Sequence, residues 1–189
     1  MKRILFGLLI LVLFSCHSYQ VPELKSVRLK TLDQEGFIFD TGDNKKILVF
    51  VFISPECPLC ISYTKPIIEM KSKFEGNQVQ FYAIFSGTYY SSVQIRDFQK
   101  QYNFDIICLQ DTGNNFAQLL EVTVTPEVVL LNHAGEKVYS GAIDDWAYAP
   151  GKKRQVITKK FLEDAIAKVI SNEYPAITKT EPIGCSIEL

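Results

Sequence analysis

Two of the five cysteines stand three residues apart in Cys57-Pro58-Leu59-Cys60, directly after the apolar run Ile47 to Ile53. On a helix that spacing places both thiols on one face, within reach of a disulfide. If a strand ends at Ser54-Pro55 and a helix opens at the cysteines, Cys57 faces unpaired backbone N–H groups and the positive end of the helix dipole. Those lower a thiol pKa from its free value of about 8.5. Pro58 suits the first helical position, where a fixed φ helps and a missing N–H costs nothing. Cys57 is then the nucleophile and Cys60 the resolving thiol. A zinc site would need two more ligands at matching spacing, and what remains is the isolated Cys108 and Cys185 and two histidines. A purely structural disulfide would close too short a loop to constrain the unfolded chain much. No metal is expected, and redox chemistry is the better reading.

Other residues compete for roles around this pair. Val124-Thr125-Pro126-Glu127 precedes the apolar stretch Val128 to Leu131. Glu56 adjoins Cys57, where a nearby carboxylate opposes thiolate formation. Glu56 or Glu127 could serve as a base, the alternative being that both are solvated surface acids. Cys108, inside an apolar segment, reads as a buried filler. Cys185, flanked by Gly184 in a tail, reads as a third redox or ligand thiol or as a packed one. His133 falls in a turn and reads as solvated, while Trp146, Tyr148 and Pro150 read either as lining of a substrate groove or, the preferred reading, as cover for a sheet edge.

The elements that must position these groups alternate. Val27–Leu29 and Phe37–Phe39 form a hairpin across Asp33-Gln34-Glu35-Gly36, and Ile47–Ile53 is a doubly buried strand. Pro58 to Phe74 has helical spacing interrupted by Pro66. A strand follows over Val79–Phe85, then a helix capped at Ser91-Ser92 with Val93, Ile95, Phe98 and Tyr102 inward. Ile106–Leu109 is a strand, Asn114 or Asn115 opens a short helix to Leu120, and Val128–Leu131 pairs with Lys137–Tyr139. A last amphipathic helix covers Thr158 to Ile170. The pattern predicts an α/β fold, a central mixed sheet flanked by helices behind an N-terminal β-hairpin. It assigns residues 1–15 to a signal peptide, 16–25 to a tether, 26–171 to one domain and 172–189 to an irregular tail.

At 189 residues, 47% hydrophobic and 22% charged, the chain has enough apolar surface for one core. A net charge of −1 without a basic block excludes a nucleic-acid footprint. Lys2-Arg3, the apolar run Ile4 to Phe14 and small Ser15 have the three-part layout of a signal peptide, too short to span a bilayer as a helix. Leu13-Phe14-Ser15-Cys16 resembles the bacterial lipobox, which implies cleavage before Cys16 and lipidation of its sulfur.

The strand, the CPxC helix start and a late Thr125-Pro126 together resemble the thioredoxin fold. The anchoring signal, the N-terminal hairpin, Tyr139-Ser140-Gly141-Ala142-Ile143-Asp144-Asp145 and Gly184-Cys185-Ser186-Ile187 look most like its extracytoplasmic TlpA/ResA-type branch and the AhpC/TSA-like redoxins. That resemblance implies that Pro126 is cis and lies against the redox pair, and that Thr125, with Glu127 beside it, meets the substrate backbone. Two positions depart from the pattern. Val51 stands where thioredoxins bury an acid, and Glu56 replaces the usual tryptophan. The implied activity is an envelope thiol:disulfide oxidoreductase without a bound cofactor. It acts as a monomeric reductant of exported protein disulfides, fed by an upstream membrane electron donor and anchored facing the periplasm or the outside of the cytoplasmic membrane. A copper-binding chaperone of the SCO type is the alternative, since two thiolates suit Cu(I), although those proteins carry CxxxC and a partnering histidine. Thiol peroxidases carry P-x-x-x-T/S-x-x-C, and counting back from either cysteine finds no proline.

Overall fold

The computed structural model describes Leu24, residues 26–39 and residues 46–188. The signal segment, Cys16 and all of the tether but Leu24 lie outside the described residues. The strands are β1 (Leu29–Lys30), β2 (Gly36–Phe37), β3 (Ile47–Phe52), β4 (Val79–Ser86), β5 (Ile107–Asp111), β6 (Val124–Thr125), β7 (Glu127–Leu131), β8 (Lys137–Gly141), β9 (Ala147–Ala149), β10 (Lys152–Lys153) and β11 (Cys185–Ser186). The helices are α1 (Pro58–Lys73), α2 (Ser92–Tyr102), α3 (Asn115–Leu120) and α4 (Phe161–Ile170). Seven strands form one sheet in the order β2-β1-β5-β4-β3-β7-β8. β3 pairs parallel with β4 and β4 with β5, while β7 and β8 run antiparallel. The sheet is therefore mixed, as expected.

All six residues of β3 are buried because alternate side chains enter two cores. Ile47, Val49 and Val51 face the cluster built with α1, α2 and α4. Leu48, Phe50 and Phe52 face a second cluster that takes in Phe116 and Leu120 of α3. Edge-to-face contacts of Phe39, Phe50, Tyr82 and Phe116 fill that second face. With both faces covered, the C-terminal end of β3 is fixed, and the loop that follows delivers Cys57 to the start of α1.

Four expectations need correction. Val93 is exposed, since at 100° per residue it lies far around α2 from buried Ile95 and Phe98. α4 opens at Phe161 rather than Thr158: the Asp145 carboxylate takes the backbone N–H of Thr158 and Lys159 and the Thr158 hydroxyl, holding that segment outside the helix. Glu127 is no solvated surface acid. It is 5% exposed in the sheet, and its carboxylate accepts from the N–H of Thr123 at 3.0 Å and of Val124 at 3.4 Å.

The tail is the fourth, for it is irregular only in part and is anchored to the sheet at two places. Ser140 of β8 donates its N–H to Thr178 O and accepts from Thr180 N–H, each at 3.0 Å, and β11 then pairs antiparallel with β6. Gly141 makes the first crossing feasible: its φ is 128°, and a Cβ there would fall onto the Thr180 carbonyl.

Candidate active site

Cys57 is the N-cap of α1 and Pro58 occupies the first turn. The sulfur is reached by the backbone N–H groups of Leu59 and Cys60, the orphan donors every helix start leaves over. Cys57 and Cys60 are 2% and 0% exposed. The Cys60 thiol hydrogen-bonds to Cys57, and together with the Cys185 thiol and those two N–H groups it outweighs burial, lowering Cys57 to about 5. Cys57 is thus a thiolate at neutral pH. Cys60 moves the other way, raised by burial and by its bond to Cys57, while Ser54 N–H approaches its sulfur at 3.4 Å.

The Thr125–Pro126 peptide bond is cis, the conformation that the resemblance implies. The Thr125 carbonyl lies 3.3 Å from Cys57 Sγ. A protonated Cys57 donates to that oxygen. The thiolate cannot, and turns to the donors of the helix start and to Cys185. Glu127, two residues on, ties down Thr123 and Val124 and so holds the strand that carries Thr125; burial raises its carboxyl. Glu56 is exposed in the turn before Cys57. Val51 is fully buried in the core that includes Cys60, so no carboxylate stands at that position.

Cys185, the furthest of these residues in sequence, is also brought against Cys57. Its sulfur is 2.7 Å from Cys57 Sγ, and burial together with the bond to Cys57 pushes its thiol up to about 11. Cys108 is buried in β5, away from this constellation, and burial pushes it to about 12. The four described cysteines are all unbridged. Among the described residues no group of three or more His, Cys, Asp or Glu side chains is arranged to hold a metal ion.

Some neighbours carried no signal in the sequence. Ser54 Oγ donates to the Tyr90 hydroxyl at 2.8 Å, and a cleft of about 200 Å³ beside Cys185 is lined by Ser54, Ser86, Tyr90 and Thr125 among others. A lone Gly beside a terminal cysteine was the one available hint of a close backbone approach. The segment Tyr139 to Asp145 proves architectural. Tyr139 donates to Ala142 O at 2.5 Å, and Asp144 accepts from Tyr63 Oη at 2.6 Å, tying α1 to the loop after β8. Trp146 packs edge-on against Tyr63.

A profile of the redoxin family matches residues 19–145. The chain belongs to the redoxin family. A "thioredoxin-like protein" of Haemophilus influenzae is 29% identical to this redoxin over 113 residues, 59% of this chain, and the chain spans 65% of that relative's length. Among solved structures, a hypothetical protein of Sinorhizobium meliloti superimposes with a TM-score of 0.75 at 22% identity, over 85% of this redoxin and 89% of that chain. An uncharacterized conserved protein of Geobacillus kaustophilus gives 0.76 at 21%, over 91% of each. A secreted Mycobacterium tuberculosis disulfide oxidoreductase, homologous to E. coli DsbE, gives 0.55 at 16%, over 80% of this chain and 98% of its own. The fold of this redoxin is thioredoxin-like.

Proposed function

We propose that this redoxin is a thiol:disulfide oxidoreductase of the cell envelope, with Cys57 as the attacking thiolate and Cys60 as a resolving thiol. The observation that carries this reading is the Cys57 sulfur itself, held at a helix N-terminus by two N–H groups and two thiols while the Thr125 carbonyl stands 3.3 Å away. In the reaction, Cys57 attacks one sulfur of a substrate disulfide. The S–S bond breaks, one substrate thiolate leaves and is protonated, and a mixed disulfide remains on Cys57. A second protein thiol attacks Cys57 Sγ, releasing the second substrate thiol and leaving a protein disulfide. The two electrons pass from two protein thiols to the substrate.

Exported proteins are the proposed substrates, with anchoring through Cys16; support for both is the layout of residues 1–16. A stabilised Cys57 thiolate favours the dithiol form, which makes the protein disulfide easier to reduce. By itself that stabilisation weakens the dithiol as a reductant, so the reductant direction requires an upstream membrane donor that keeps the thiols reduced, and the measured potential decides between the two directions. The test is reduction of a small aromatic disulfide by the reduced protein, paired with the Cys57/Cys60 potential against a glutathione buffer. Wild type should react stoichiometrically and Cys57→Ser at the background rate; wild-type kinetics in Cys57→Ser would refute the reading.

A further inference from the structure

β11 takes the position along β6 that an extended peptide would take on pairing with Thr125, and it carries a cysteine. Cys185 is in register with Thr125 and Ser186 with Val124, and Ile187 N–H donates to Thr123 O at 2.8 Å. Gly184 lies so close to Thr125 that a Cβ would fall onto the Thr125 carbonyl, so the approach admits only glycine. Beyond the strand, Asn114 Nδ2 donates to Glu188 O at 2.6 Å, and the Tyr89 hydroxyl bonds the Glu188 carboxylate. The segment is seated from both ends. Its upstream anchor on Ser140, through Thr178 and Thr180, keeps the few residues between from wandering.

We infer that Cys185 is a resolving thiol for Cys57, delivered by a tethered strand that takes the place of a peptide substrate. The inference rests on the oxidoreductase reading above. The 2.7 Å between the sulfurs is about 0.7 Å from disulfide length. Cys60, by contrast, is fully buried and its proton is held by that burial. Cys57 helps hold the proton on both thiols, and that part ends for both once Cys57 is in a mixed disulfide; what then remains is burial, deeper at Cys60 than at the exposed Cys185.

While docked, the strand fills the edge of β6, so an external partner reaches Cys57 when the strand lifts. β11 is two residues long and exposed, which makes such local opening low in cost. The returning strand expels the partner. Cys185 Sγ attacks Cys57 Sγ, the Cys57–substrate bond breaks, and the substrate sulfur leaves with the proton given up by Cys185. The oxidant is the substrate disulfide. Exchange with Cys60 can then move the protein disulfide to Cys57–Cys60 and restore the Cys185 thiol.

The experiment exposes the reduced full chain to one equivalent of oxidised glutathione and maps its disulfides. Cys60→Ser should yield a Cys57–Cys185 bond and two released glutathione thiols per protein. Cys60→Ser with Cys185→Ser should keep glutathione on Cys57. Adding Gly184→Val to Cys60→Ser, which pushes the strand off β6, should slow closure about tenfold or more as the local concentration of Cys185 falls. Glutathione retained on Cys57 in Cys60→Ser, with Cys185 still a free thiol, would overturn the inference and leave the oxidoreductase reading standing. A Cys57 that takes up no glutathione in the doubly substituted protein would overturn both.

Discussion

Cys57 at the mouth of α1 and Cys108 in the middle of β5 are both buried thiols, 2% and 5% exposed, yet their acidities diverge to about 5 and about 12. Around Cys108 the chain supplies an acceptor: its sulfur donates to Ile106 O at 3.4 Å, and nothing offsets desolvation. Around Cys57 it supplies donors, from Cys60, Cys185 and the first turn of α1. Burial alone makes a thiol inert. Burial with converging donors makes a thiolate that is shielded and still charged.

The largest way to break this contrast is to remove the two sulfurs in turn. Cys57→Ser should reduce disulfide exchange to background, whereas Cys108→Ala should leave the rate within about twofold and cost about 1 kcal/mol of stability for the small cavity, read by urea unfolding. Comparable losses of exchange in both variants would end the distinction. Next in size is Glu127→Ala, which deprives the Thr123 and Val124 N–H groups of their acceptor. An unpaired, partly buried donor costs about 1–3 kcal/mol. Because those residues lead into Thr125, the variant should slow exchange at Cys57 and leave Cys108 unreactive, while Glu127→Gln, which keeps an acceptor oxygen, should recover most of both losses. The smallest effect is expected from Cys185→Ala. Removing one of several donors should raise the midpoint of the Cys57 thiolate absorbance above about 5; an unchanged midpoint would leave the other donors sufficient.

Much of this contrast was legible in the sequence. Seven consecutive residues suited to a buried strand, then Ser-Pro, then a cysteine before a proline, locate a strand end and a helix start by local chemistry alone, and both α1 and the Cys57 position follow. Cys108 was legible for the same reason, as an apolar-sized residue inside an apolar strand. The tail was not. Its strand is two residues long, below any periodicity, and its partner β6 lies 60 positions away (Thr125 opposite Cys185), so pairing is decided by tertiary packing that no window of sequence contains. Glu127 failed for a related reason: a carboxylate reads as surface until the backbone N–H groups it satisfies are in place.

The central claim is that Cys57 is a thiolate at neutral pH, and the pH dependence of its alkylation tests it most directly. A thiol lowered to about 5 stays ionised above that pH and loses its reactivity only as the pH falls through it. In the reduced full-length protein, with modification mapped to Cys57 by mass spectrometry, the rate constant for iodoacetamide should be nearly flat from pH 8 to pH 6 and fall by half at about pH 5. A rate that drops about tenfold per pH unit between 8 and 6, as an ordinary thiol's does, would contradict it.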